Sequence, residues 1–360
     1  MSFPSEQIDR SLLDIMQKVI EKRRLTPDEG LELLKTPRHE SLFTLADFAR
    51  KQIAGDFVTY TSTLHLYPTN ICELGCPFCC YHAKPGSSKG YLHSTEALEK
   101  KVVEALPLGI SEVHIVGGLY RKCNLPYYLE LLKKIRKLDP NIHIKALTAT
   151  EIAFLAQIHT MTHHDVLSLL IKAGLDFLPG GGAEIFDTTV RAIIAPNKCS
   201  SETFIEIHKT AHLLGLASNI TMLFNHIENE EHIINHLERV RSLQDETGKI
   251  LAFVPLLYIS QSNTLLSRPL RKKDPKTIFA VARLMLDNVK HIKVLWNYLG
   301  INLAKELLLC GGDDFGSTST KEQVAVAAGG TQQTMSQSEI DITIRQLGRT
   351  PRLCYPGGAL

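Results

Sequence analysis

The sequence predicts an α/β fold, a closed (β/α)8 TIM-type barrel with an amino-terminal helical extension. Three observations predict it. Short β-branched runs alternate with helical segments seven times after residue 57. Residues of unusual chemistry recur just past the end of one strand after another, where a barrel would gather them on its carboxyl-terminal rim. The first 57 residues carry a helical rhythm instead. An open doubly wound sheet produces the same alternation; the convergence of the strand ends favours the barrel.

In the extension, Thr26, Pro27 and Glu29 form a capping-box start with proline in the first helical position. Strands are expected at 61–67, 112–116, 143–148, 175–178, 217–224, 250–257 and 291–295. Helices are expected at 94–105, 127–138, 162–173, 201–214, 230–244 and 275–286. Thr162 with Asp165, and Asp274 before Pro275, mark helix starts. Residues 311–330 are polar and glycine-rich, so the eighth strand is placed near 324–327, ahead of a helix capped by Ser336 and Glu339. The expected organisation is an extension over 1–57, a barrel over 58–335 and a carboxyl-terminal helix and tail over 336–360.

Composition narrows the function. A chain of 360 residues, 44% hydrophobic and 22% charged, has the make-up of a soluble globular protein with a large core. Its 40 basic and 38 acidic residues are interspersed, so no basic patch points to nucleic acid. No signal peptide and no apolar run of membrane-spanning length stand out, and a cytoplasmic setting is expected. In that reducing setting clustered thiols more often hold metal than form disulfides. Four of the eight cysteines fall within residues 72–80.

Cys72, Cys76 and Cys79 are separated by three and then two residues, in a loop after the first barrel strand. Three thiolates so spaced can wrap one face of a [4Fe–4S] cubane and leave one iron open to chelate S-adenosylmethionine. A zinc site is the alternative, with Cys80, His82 or a distant cysteine as fourth ligand. Cys123, Cys199, Cys310 and Cys354 read as ordinary thiols. Further rim candidates are Gly117 and Gly118 after strand two, and Thr148 to Glu151 after strand three. Gly180, Gly181, Gly182 and Glu184 follow strand four, His226 and Glu228 strand five, and Trp296 strand seven. The three glycines let the backbone approach a nucleoside closely, or simply make a tight turn. Glu184 suits ribose hydroxyls or a water, or the dipole of a helix start.

The stretch from Asn70 to Cys79, with Phe78 before the last cysteine, resembles the radical S-adenosylmethionine signature. Val116-Gly117-Gly118-Leu119, Thr148-Ala149-Thr150-Glu151-Ile152, the run from Leu178 to Phe186 and Asn219-Ile220-Thr221-Met222-Leu223 resemble the aminofutalosine synthases of menaquinone biosynthesis. So do 244–248 and 283–288. Dehypoxanthine futalosine cyclase and two radical enzymes of deazaflavin biosynthesis are the relatives to be told apart. The resemblance implies that Cys72, Cys76 and Cys79 hold the cluster. It implies that Phe78, Gly117, Gly118, Thr148, Glu151 and Gly180 to Gly182 line S-adenosylmethionine, with Glu184 and Arg283 as candidate catalytic residues. The implied reaction adds the adenosyl radical to a carboxyvinyloxy benzoate, and a flavodoxin or ferredoxin supplies the electron. The substrate's two carboxylates call for cations, and Arg283, Arg191, Lys145, His65 and His226 are the candidates. Trp296 and Tyr258 are candidates to stack on its ring or to pack the core. Tyr120, Asn225 before His226 and the tail from 350 depart from the family pattern. Leu119, standing where many relatives have an acid, leaves the amino group of methionine to the backbone of Gly117 and Gly118.

Overall fold

The computed structural model describes residues 8–259, 272–318, 322–330 and 334–354. The strands are β1 (Phe57–Leu66), β2 (Glu112–Ile115), β3 (His143–Ala146), β4 (Phe177–Leu178), β5 (Ala217–Phe224), β6 (Ile250–Leu257), β7 (His291–Ile292), β8 (Asp314–Thr318) and β9 (Thr350–Leu353). Eight run in the order β7-β6-β5-β4-β3-β2-β1-β8, every pairing parallel. The two ends of that order meet. Lys293 bridges Asp314 in parallel, and the Val294 amide donates to the Asp314 carbonyl at 2.7 Å. The sheet is a barrel with a short seam, and the doubly wound alternative falls.

β1 explains how the interior is furnished. Its side chains alternate with period two, so Val58, Tyr60 and Leu66 are buried in the hydrophobic core. Thr61, Thr63 and His65 line a cavity inside the barrel, with Tyr67 just beyond the strand. A residue slip would exchange these sets. The same alternation turns Glu112 and His114, Lys145, Asn219, and Lys293 inward from or beside β2, β3, β5 and β7.

The eighth strand lies at Asp314–Thr318, whereas 324–327 belongs to the helix Gln323–Ala328. The expectation failed because β8 has no apolar alternation to betray it. Asp314 is inside the barrel end, Gly316 takes a φ of +84°, and the register against β1 shifts between Thr59 and Thr61. Glu322 accepts from the amides of Val324 and Ala325 and so starts a helix in the Val-Ala run. A helix at Ala149–His159, unforeseen in the sequence, begins with a full capping box of Thr148 and Glu151. The capping boxes at Thr26 and Ser336 are formed.

The extension comprises the helices Leu13–Ile20, Pro27–Lys35 and His39–Ala54. Its last two pack on the helix Pro275–Met285, and Arg24 pairs with Asp245 at 2.6 Å and Asp287 at 3.1 Å. β9 pairs with the first half of β1, on the edge whose second half carries β2. Residues 355–360 of the tail lie outside the described residues. Among the described residues no helix is long and apolar enough to cross a membrane.

Candidate active site

The loop between β1 and the helix Thr95–Ala105 carries Cys72, Cys76, Cys79 and Cys80. Backbone bonds close it on itself and hold it against the next rim loop. The Cys72 amide donates to Ala83 O at 2.9 Å, Glu73 N to Leu119 O at 2.9 Å and Gly118 N to Thr69 O at 2.8 Å. A side chain on Gly118 would run into the Ile71 carbonyl, so that glycine is required for two loops to touch. None of the eight cysteines is in a disulfide. Burial pushes Cys76 up to about 11, and the adjacent Cys79 and Cys72 add to the shift. Three thiols spaced three and then two residues apart on one backbone-bonded loop fit a cluster whose irons would take them as thiolates. Among the described residues no three His, Cys, Asp or Glu side chains gather closely enough to share a single metal ion. The same holds of Cys72, Cys76 and Cys79, so neither a cluster set nor a zinc set with Cys80 or His82 is preformed on the loop.

Beside this loop opens a mouth cavity. Phe78, Gly117, Thr148, Glu151, Gly181, Gly182 and Glu184 all line it, together with Tyr258. Glu151 does more than face the space. Its carboxylate accepts from Gly117 N at 3.1 Å and Thr148 N at 2.7 Å, tying the loops after β2 and β3 together. Burial pushes the Glu151 carboxyl up to about 7 against those donors. Among the glycines, only Gly181 has its side-chain direction open enough to meet just Thr148 Cγ2, at 3.1 Å. Gly180 would strike Asn219 O at 2.5 Å, and Gly182 would strike the Thr150 hydroxyl. Close packing thus explains two of the three, while the backbone of all three borders the cavities.

Glu184 pairs with Lys198, whose ammonium lies 5.2 Å from the Phe78 ring centroid. Burial opposes that charge, but Glu184 and the thiols of Cys76 and Cys79 outweigh it and hold the Lys198 pKa up. Asn197 donates to Leu74 O at 2.8 Å and docks the segment on the cysteine loop. Lys198 was missed in the sequence because nothing local marks a lysine in an irregular loop as a neighbour of cysteines about 120 positions away.

Below the mouth, and sharing Tyr67, Val116, Thr148, Gly181, Leu256 and Tyr298 with it, lies an inner chamber. Lys145 donates to Glu112 at 2.5 Å, and Lys293 pairs with Asp314 at 3.2 Å. His65 and His114 stand in register with Lys145 across β1, β2 and β3, their ring centroids 5.3 Å apart. Lys293 and His114 were not singled out from the sequence, although inward alternation in 291–295 and 112–116 marks both.

Arg283 is not in the site. It is fully buried and donates to Gly311 O, Val289 O and Asp313, all preceding β7 or β8 at the amino-terminal end of the barrel. A cation inside a helix is turned to the far end of the molecule by its position, so its candidacy as a catalytic residue is withdrawn. Arg191 is spent on the carbonyls of Gly182, Ala183 and Cys199, bracing the glycine loop. His226 is buried against Leu223 O and Glu228, and Trp296 packs in the core with its indole N–H on Ser317 O.

Barrel, cysteine loop and cavity define a radical S-adenosylmethionine enzyme, and the chain belongs to the radical SAM superfamily, whose members use a [4Fe–4S] cluster and S-adenosylmethionine. The superfamily model matches residues 66–240, and the CofH/MqnC C-terminal region matches 247–355. The chain is 37% identical to aminodeoxyfutalosine synthase of Thermus thermophilus, over 95% of this chain and 94% of that protein. It is 34% identical to the Streptomyces coelicolor protein of the same name, covering 94% and 91%. It is also 36% identical to the 5-amino-6-(D-ribitylamino)uracil–L-tyrosine 4-hydroxyphenyl transferase of Archaeoglobus fulgidus, covering 89% and 93%. Methylornithine synthase has the same fold, with a TM-score of 0.76 at 18% identity over 94% of this chain and 97% of that one.

Proposed function

We propose that the protein is an aminodeoxyfutalosine synthase, which joins the adenosyl group of S-adenosylmethionine to 3-[(1-carboxyvinyl)oxy]benzoate. The products are aminodeoxyfutalosine, methionine and carbon dioxide or bicarbonate. The observation that carries this reading is the inner chamber, apolar on its walls and furnished with two lysines at its base, directly below the mouth. An aromatic acid fits such a space, because its ring takes the apolar walls and its charge the ammonium groups.

Bound cluster and S-adenosylmethionine supply a one-electron reductive cleavage that gives methionine and an adenosyl radical, with a flavodoxin or ferredoxin-type protein as proposed reductant. The chain's residues do the rest. Cys72, Cys76 and Cys79 would hold the cluster. Phe78, Gly117, Thr148, Glu151 and Gly181 border the space for the cosubstrate, and Glu184 is proposed to hold its ribose. Val116, Leu256 and Val324, which line both spaces, keep the junction of mouth and chamber apolar, which limits water and stray hydrogen donors.

The similarity to the tyrosine 4-hydroxyphenyl transferase makes that reaction the second reading. Reduced enzyme with adenosyl-labelled S-adenosylmethionine separates the two. With the carboxyvinyloxy benzoate, label is expected in aminodeoxyfutalosine, one methionine per product. Label appearing nearly all in 5′-deoxyadenosine, with turnover of tyrosine and the aminouracil or of dehypoxanthine futalosine, would refute the synthase assignment.

A further inference from the structure

The inner chamber ends on a floor one side chain thick. Lys145, Lys293, Glu112, Thr61 and Asn219 face the chamber from above and a second cavity at the amino-terminal end of the barrel from below. This floor is the part of the chamber farthest from the cysteine loop. We propose that Lys145 and Lys293, with His65 and His114 beside them, form the receptor for the ring carboxylate of the substrate, and so set which end of it points up to the mouth. The proposal rests on the synthase reading and deepens it.

The floor's two ion pairs balance in charge, and it is their unspent hydrogen-bond donors that support a receptor for a carboxylate. Each ammonium has three N–H donors, and each pairs with one carboxylate, Lys145 with Glu112 and Lys293 with Asp314. Those carboxylates have further donors of their own. Glu112 accepts from the Thr63 hydroxyl at 3.0 Å; Asp314 accepts from the Thr59 hydroxyl at 3.0 Å and Gly316 N at 2.8 Å. An incoming carboxylate can accept hydrogen bonds from the ammonium groups while Glu112 and Asp314 keep donors of their own. His114 has a buried Nε2 with no hydrogen-bond partner among the described residues, a cost that a ligand would relieve. Burial and the nearby Lys145 push His65 down to about 4, so it offers a neutral N–H rather than another charge. Glu322, the remaining acid on the chamber wall, is engaged by the Tyr67 hydroxyl and by the helix it caps.

The substrate's own connectivity selects which carboxylate goes down. The vinyl carbon must face the mouth, where the adenosyl group is delivered. Its carboxylate is attached next to that carbon, whereas the ring carboxylate is separated by the ether and the arene. Only the ring carboxylate can reach the floor while the vinyl group stays at the junction.

The test is calorimetry on cluster-loaded protein with S-adenosylmethionine and no reductant, comparing 3-[(1-carboxyvinyl)oxy]benzoate with 2-phenoxyacrylate, which lacks the ring carboxylate. Wild-type protein is expected to bind the benzoate about tenfold or more tightly. In Lys145→Met and Lys293→Met that preference should shrink several-fold, with 2-phenoxyacrylate affinity unchanged. Because a lone Glu112 or Asp314 could unfold the floor, the pairs Glu112→Gln with Lys145→Met and Asp314→Asn with Lys293→Met are measured alongside and should lose the same preference. Equal affinities for both ligands in wild-type protein would overturn the receptor and leave the synthase reading standing. A variant that weakens 2-phenoxyacrylate as much as the benzoate would overturn the orientation. Failure of wild-type protein to bind either ligand would remove the synthase reading and the receptor with it.

Discussion

At the scale of single residues the four crowded cysteines differ in spacing and in contacts. Cys72, Cys76 and Cys79 keep the three-then-two spacing, whereas the Cys80 thiol donates to Phe78 O at 3.8 Å within its own loop. Alanine at Cys72, Cys76 or Cys79 is therefore expected to abolish cluster assembly, and Cys80→Ala to retain it. Iron and sulfide content of anaerobically reconstituted protein reads this directly. A cluster that survives loss of Cys79 but not of Cys80 would reassign the third ligand. Here the spacing was legible in the sequence, since three positions on one short loop are neighbours in any fold. Lys198, the cation beside them, was not legible, because its approach depends on how two distant rim loops meet.

At the scale of elements the helix Ala149–His159 joins capping to the site. Glu151 closes its capping box and also receives the Gly117 amide from the neighbouring loop. Burial raises this carboxyl to about 7 from an ordinary value near 4.5. The native state then binds a proton that the unfolded chain has released, between those two values. The stability linked to that proton is fully present below about pH 4.5 and is lost as pH rises through about 7. A shift of this size corresponds to about 3 kcal/mol. Urea unfolding of wild type and Glu151→Gln at pH 5, 6, 7 and 8 should show the wild-type advantage falling steadily across that window. A difference that stays constant with pH would show that the carboxyl titrates normally. β8 teaches the opposite lesson about elements. Phe315 is its one hydrophobic residue, buried in the core, and the rest are Asp, Gly, Ser and Thr, so no apolar alternation could locate it.

At the scale of the whole molecule the barrel depends on its seam. β7 and β8 touch through few backbone bonds, and Arg283 secures the approach to both. Its guanidinium reaches the carbonyls of Val289 and Gly311, and at 2.6 Å the Asp313 carboxylate, which also takes Ile292 N at 2.7 Å and His291 at 2.8 Å. Removing one partner of a buried ion pair strands the other, at a cost of about 3–5 kcal/mol. Arg283→Met should lower stability to chemical denaturant by that order while affinity for S-adenosylmethionine in the folded protein stays unchanged. A variant of wild-type stability with impaired catalysis would restore Arg283 to the active site.

The sequence alone determined what is local: the cysteine spacing, the capping boxes at Thr26 and Ser336, the alternation that builds seven strands and the placement of glycines and acids just beyond them. These signals survive without tertiary knowledge because a helix cap or a period of two is set by residues within a few positions of each other. The tertiary structure decided which of many basic residues share the inner chamber. Arg283 and Arg191 turned to structural carbonyls, while Lys145, Lys293, His65 and His114 came together from four separate strands or their extensions. Their meeting depends on strand order and on depth along the barrel axis, which closure of the sheet fixes and no local pattern records.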